Sequence, residues 1–265
     1  MKSSLAAVAM FVCFGAALWY FREQYQARPE GPARTATSAP NDEWLGKLYS
    51  RNPTEVAAAA QELSALGPNA LPVIKDVLGD AQSDAEHLKA ALKACGILAK
   101  TAAPLVSDVA PLLYEPALTA EAAVALSYMG REAFEPLREA SASDDPVVRR
   151  EALRSIGKLK ERAPVDGRVV IPRLIESMKD SDASVRAVAA TYLGIIHEEP
   201  AQAIPALVAG LQDGDAEVRL ASAAALGSFG PSAAPALRAL KKAASDPNGD
   251  VAREAGRSVV KLQQK

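Results

Sequence analysis

Aromatic residues make up only 5% of this chain although 49% of it is hydrophobic. Sheet sandwiches favour β-branched and aromatic side chains, so this alanine-rich text argues instead for helices packed closely on helices. Cysteine is almost absent. Cys13 and Cys95 lie far apart in unlike contexts, which excludes a disulfide framework. Charge of one sign is missing too: the formal net charge is -2 over 265 residues, and nothing in that balance announces nucleic acid. There is no Gly-rich phosphate loop, serine elbow or cysteine pair. With two histidines, His87 and His197, at unlike positions, a zinc or iron site lacks the three or four convergent ligands it needs.

What the chain does have begins with one long apolar run. "LAAVAMFVCFGAALWYF" (Leu5–Phe21) carries no charge, and Ser3 and Ser4 extend the neutral span. At ~1.5 Å per residue that span reaches ~28 Å, close to the hydrocarbon thickness of a bilayer. Trp19 and Tyr20 stand at its far end, where amphipathic rings prefer the interface. No small-x-small cleavage site follows, so residues 1–21 read as an uncleaved single-pass anchor, with Cys13 as apolar filler. Lys2 on one side faces Arg22, Arg28 and Arg34 on the other, favouring a cytoplasmic body, whereas a basic start before an apolar run favours export; the side stays open. Residues 22–40, rich in Pro, Ala, Thr and charge, read as a flexible tether. The folded body is expected over 41–265.

Two rulers then measure a repeat. Gly67, Gly96, Gly130, Gly157, Gly194 and Gly227 are spaced 29, 34, 27, 37 and 33 residues apart. Pro72, Pro104, Pro136, Pro172, Pro205 and Pro235 are spaced 32, 32, 36, 33 and 30. A period near thirty-odd residues marks a solenoid. In each unit an acidic residue such as Asp145, Asp182 or Asp215 opens a first helix as N-cap or first-turn residue. The glycine is expected to let the chain leave that helix through a left-handed turn. A second helix starts around the proline, which first-turn positions tolerate. One slot per unit is small (Ala91, Ala125, Ala152, Ala189, Ser222), so the two helices can approach closely. Six helical pairs and a closing helix from about Asp250 to Gln263 result, with "KERAPVDGR" (Lys160–Arg168) as a lengthened loop.

"DDPVVRREALRSIG", "SDASVRAVAATYLG", "GDAEVRLASAAALG" and the weaker "NGDVAREAGRSVV" resemble HEAT repeats, particularly the short kind also found in bilin lyases. The likeness is strong in the last four units and weaker in the first three, where His87-Leu88 and Glu121-Ala122 replace the Val-Arg pair. It implies an all-α solenoid of about six hairpins, in which Asp145, Arg149, Asp182, Arg186, Asp215 and Arg219 form a ladder between neighbouring repeats. An anion-binding stripe is the competing role, but each arginine comes with its own aspartate.

Cys95 occupies a slot held elsewhere by Leu66, Met129, Ile156, Leu193 and Leu226, which makes it a buried hydrophobe rather than a nucleophile. "HEE" (His197–Glu199) is similar to the His-Glu pairs of deoxyhypusine hydroxylase, a di-iron HEAT-repeat enzyme, whose pattern requires several such pairs in facing repeats; one is present. The second helices mix Asp76, Asp108, Glu139 and Glu176 with Arg173, Arg238 and Lys242, which does not suit phosphate tracking. Tyr128 and Tyr192 share one slot, and with Arg173, Glu176 and Arg238 they are the candidate partner-binding residues. The expectation is a membrane-tethered scaffold for protein partners, not an enzyme, with no cofactor, metal, nucleic acid or small-molecule substrate. The alternative is a lyase-like or other enzyme accessory subunit.

Overall fold

Among the described residues, seven helices begin at a side chain that captures a free first-turn amide. Asn52, Asp84, Asp145, Asp166, Asp182, Asp215 and Asn248 each accept from a backbone N–H two or three residues on, at 2.7–3.0 Å. Such caps are worth about 1 kcal/mol each against alanine. They lay out the chain of a computed structural model that describes residues 43–48, 50, 52–163 and 165–263. The expected anchor and tether, residues 1–40, lie outside the described residues.

After a short α1 (Glu43–Lys47) come six pairs. These are α2 (Pro53–Leu66) with α3 (Leu71–Gly79), α4 (Ala85–Leu98) with α5 (Val106–Val109), and α6 (Thr119–Leu126) with α7 (Phe134–Ala140). Then follow α8 (Pro146–Arg162) with α9 (Gly167–Ser177), α10 (Ala183–Ile196) with α11 (Pro200–Gly210), and α12 (Ala216–Ser228) with α13 (Leu237–Ala243). A closing α14 (Gly249–Gln263) ends the series. There is no β-strand among the described residues. First helices pack on first helices, α4 on α6, α6 on α8, α8 on α10, α10 on α12 and α12 on α14. Second helices form the other layer, α9 against α11 among them. The small slot is buried throughout: Ala91, Ala125, Ala152, Ala189 and Ser222 are all at most 1% exposed, and Ser222 packs against Gly210 of the second helix α11.

The prolines sit as first-turn chemistry allows at Pro72 and Pro136, and in 3₁₀ turns before α5 and α13 at Pro104 and Pro235. Pro172 and Pro205 lie inside α9 and α11. "KERAPVDGR" is not a lengthened loop throughout. Lys160–Arg162 continue α8, the longest of the first helices at 17 residues, and Gly167 and Arg168 already belong to α9.

The glycines require a larger correction. Among the described residues, the glycines with positive φ are Gly67, Gly130 and Gly230. Gly157, Gly194 and Gly227 stay helical and serve close approach instead. A Cβ on Gly194 would lie 2.5 Å from the Ala225 Cα, one on Gly157 would fall into the Tyr192 ring, and one on Gly227 would strike the Ser258 hydroxyl. In each case the obstacle comes from the next first helix, two residues before that unit's own glycine slot. The glycine ruler therefore mixes two roles: positive-φ turns at Gly67 and Gly130, as expected, and contact between repeats at Gly157, Gly194 and Gly227.

One run among the described residues, Ala85–Tyr114, is long and apolar enough to cross a membrane. It is no straight rod. Ala99 takes φ 50, and the 3₁₀ segment Ala99–Leu105 turns back to pack on α4.

Candidate functional site

Three arginines join consecutive units of the C-terminal half. Arg149 donates Nε and Nη2 to the Asp180 carboxylate at 2.8 and 2.7 Å. Arg186 makes the same fork to Asp213 at 2.8 and 2.8 Å, and Arg219 to Asp246 at 2.8 and 3.0 Å. Each Nη1 also donates to two carbonyls of the turn before its own helix: Ser143 and Asp144, Asp180 and Ser181, Asp213 and Gly214. The carboxylates are themselves turn residues. Asp180, Asp213 and Asp246 accept the amides of Asp182, Asp215 and Asn248 at 2.8–2.9 Å.

The pairing therefore differs from the expected one. Asp145, Asp182 and Asp215 cap their helices, and the arginines reach a different aspartate, two residues ahead of the following cap. That second recurrence, "DSD", "DGD" and "DPN", stands in the sequence at the repeat period and was the available signal. Arg186 and Asp213 keep only 17% and 15% of their side chains exposed. Planar forks in such shelter are strong but costly to break. Hydrogen bonds from Arg186 and Arg219 hold the Asp213 and Asp246 carboxyls below the ordinary value. At Asp180 burial pushes upward, yet the Arg149 fork and the Asp182 amide outweigh it and the net direction is down.

The candidate partner-binding residues separate into two groups. Tyr192 is buried at 8% exposure, lying over Gly157, and burial raises its phenol; it is inter-repeat packing rather than docking surface. Arg173 is also committed, donating Nε to Ser141 Oγ at 2.7 Å, Nη2 to the Ser141 carbonyl, and Nη1 to Glu176 at 2.7 Å. It straddles a shallow cleft of about 250 Å³ between α7 and α9. Glu176 and Arg238 are exposed. Tyr128 is 37% exposed, with the Arg162 guanidinium 4.1 Å above its ring centroid and Arg162 Nη2 donating to its hydroxyl at 3.3 Å.

Tyr128 borders a groove of about 560 Å³ between α4 and α6. Leu92, Gly96 and Ala125 line it from within, and Ile97, Val124 and Tyr128 form apolar walls. Lys89, Lys93 and Glu121 supply its charge. Lys93 Nζ also donates to the Leu48 carbonyl at 2.9 Å, just past the end of α1. Nothing lies within 4 Å of where a Gly96 Cβ would be. The sequence did not reveal this groove, because Gly96 and Tyr128 occupy the same slots as Gly157 and Tyr192, which close on each other.

The remaining reactive groups are committed to structure. Cys95 is fully buried, and burial with the nearby Asp108 charge pushes its thiol up to about 12. His87 turns out of the valine slot to the capping Asp84, with Nδ1 and Oδ1 2.8 Å apart. His197 takes a left-handed φ of 39 and sets its ring edge-on to Phe229 at 6.5 Å. No group of three or more His, Cys, Asp or Glu converges among the described residues.

Residues 171–261 match the family model for HEAT repeats. No curated protein matches the chain. Among solved structures, a chain from Kap95p bound to RanGDP is 17% identical over 83% of this chain and 35% of its own, with a TM-score of 0.57. An engineered protein is 21% identical over 84% of this chain and 99% of its own, at TM-score 0.47. A designed armadillo repeat protein in complex with the peptide (KR)4 is 20% identical over 83% and 98%, at 0.43. This chain is thus similar to HEAT repeats over residues 171–261, and its described residues adopt the all-helical repeat fold of which Kap95p offers an example.

Proposed function

We propose that this chain is a membrane-tethered scaffold that binds protein partners and does no chemistry of its own. One observation carries the reading: the apolar side chains are consumed between consecutive two-helix units, which leaves long helical faces and an open groove for another macromolecule. Kap95p, similar in fold, is described as binding RanGDP and inducing its switch loops to adopt the GTP-bound conformation, and the proposal extends protein binding to this chain. Likeness to the short repeats of bilin lyases concerns the two-helix brick and not a pigment. The anchor is residues 1–21, with Leu5–Phe21 as its uncharged run, followed by residues 22–40 as the flexible tether. Holding a weak binder at a bilayer raises its effective concentration toward partners there, so modest contacts suffice.

Crosslinking of the full-length chain in native membranes, followed by mass spectrometry, tests this. One protein should be recovered reproducibly, and its yield should fall when residues 1–21 are deleted. A chain that yields no such protein but binds metal or bilin with a spectral change would instead support the accessory-enzyme alternative.

A further inference from the structure

Two seams of this molecule carry the same residues and end differently. In the α8/α10 seam, Tyr192 lies down on Gly157 and fills the space a side chain would occupy. In the α4/α6 seam the corresponding pair is Gly96 and Tyr128, yet the glycine stays uncovered and the groove is open. Tyr128 lies beyond the end of α6 at Leu126, whereas Tyr192 lies inside α10, and the Arg162 guanidinium sits over the Tyr128 ring and donates to its hydroxyl. Val124, 41% exposed, is left beside it.

The same α4 also shows what such a surface accepts. The short helix α1 packs on α2 and α4 with Trp44, Leu45 and Leu48 buried, and Lys93 closes its end by donating to the Leu48 carbonyl. Lys93 borders the open groove as well, and neither it nor Arg162 has a carboxylate within ion-pair reach among the described residues. Glu121 is the one acid in the groove, and Lys89 is already paired with Glu86 at 3.2 Å. The balance left over is cationic.

We infer that the α4/α6 groove is the docking site for a short amphipathic helix of a partner protein. Its aromatic side chain lies on Gly96 as Tyr192 lies on Gly157, an aliphatic one a turn away meets Val124, and acidic side chains flanking these anchors face Lys93 of α4 on one side and Arg162, reaching in from α8 over Tyr128, on the other. Helix-in-groove recognition by anchors three to four residues apart is a recurrent use of such a surface. The inference rests on the protein-binding reading above and adds the site and the partner's chemistry.

The probe is a displayed library of helical peptides of about 16 residues, selected on the full-length chain. Enriched sequences should share an aromatic residue, an aliphatic residue four positions away and flanking Asp or Glu. Gly96→Trp, which grows into open space, should weaken them by at least about tenfold, and Lys93→Glu by about threefold to tenfold. Both variants should still unfold in one cooperative transition, with Gly96→Ala controlling for helix propensity and Lys93→Met for loss of the bond to the Leu48 carbonyl without charge reversal. Peptides that resist Gly96→Trp but are lost in Arg238→Glu would overturn the groove while leaving the scaffold reading intact. No enrichment on any surface would count against both. A wild-type dimer made monomeric by Gly96→Trp would replace the foreign helix by a second copy and equally overturn the proposal.

Discussion

The units from α8 onward and those before it are built from the same brick but joined differently. From α8 to α14 every seam has an arginine fork, and the glycines at Gly157, Gly194 and Gly227 are pressed against the next helix. Before α8 the arginine slots hold Leu88 and Ala122, and Ser143 stands where the later units place Asp180, Asp213 and Asp246. Helix α6 starts at Leu118 without a side-chain cap, Gly96 meets nothing, and the groove opens. In a linear array each unit is held only by its neighbours, so strength and accessibility can be set seam by seam. One half is clamped and the other keeps an open groove.

The most disruptive way to break that contrast is Arg186→Ala. It strands Asp213 in a sheltered site, which costs about 3–5 kcal/mol, measurable by urea denaturation. Removing a carboxylate in the other half, Glu86→Ala at the exposed Lys89 pair, should cost under about 1 kcal/mol. Gly194→Ala comes next. Its Cβ would meet the Ala225 backbone, which cannot rotate away, so about 1–3 kcal/mol should be lost to overpacking.

Acid addresses all three rungs together. Asp180, Asp213 and Asp246 titrate below their ordinary value in the folded chain. Their contribution is therefore complete above the unfolded carboxyl pKa of about 4 and is lost as pH falls through the depressed folded values. Wild-type stability should drop on acidification below about pH 4, and Arg186→Ala should show a shallower drop in the same titration. The mildest probe runs the other way. Gly96→Ala places a methyl in open space within a helix and should stabilise by up to about 1 kcal/mol, the opposite sign from Gly194→Ala.

How much of this was legible beforehand follows from what repeats. The period, the caps at Asp145, Asp182 and Asp215 and the small slot at Ala91 through Ser222 recur in the text because every unit solves them alike. The partners of the arginines were misassigned because the nearest aspartate in sequence is a cap, while the fork spans 27 or 31 residues to the next turn. The role of Gly157, Gly194 and Gly227 was misread because a glycine near a helix end looks the same whether it frees φ or admits a neighbour. Tyr128 and Tyr192 share a slot, so no pattern could tell the exposed ring from the buried one. They differ in that α6 ends before Tyr128 while α10 runs on past Tyr192, and in the contact Tyr128 makes with Arg162, a residue of the next unit.

Hydrogen exchange of the full-length chain, read by mass spectrometry under native conditions, tests most directly whether the seams set local stability. The clamped helices, residues 146–263, should exchange more slowly than the first helices of 53–126, with α6 among the fastest. Uniform protection across both halves, or slower exchange in α4 and α6 than in α10 and α12, would contradict it.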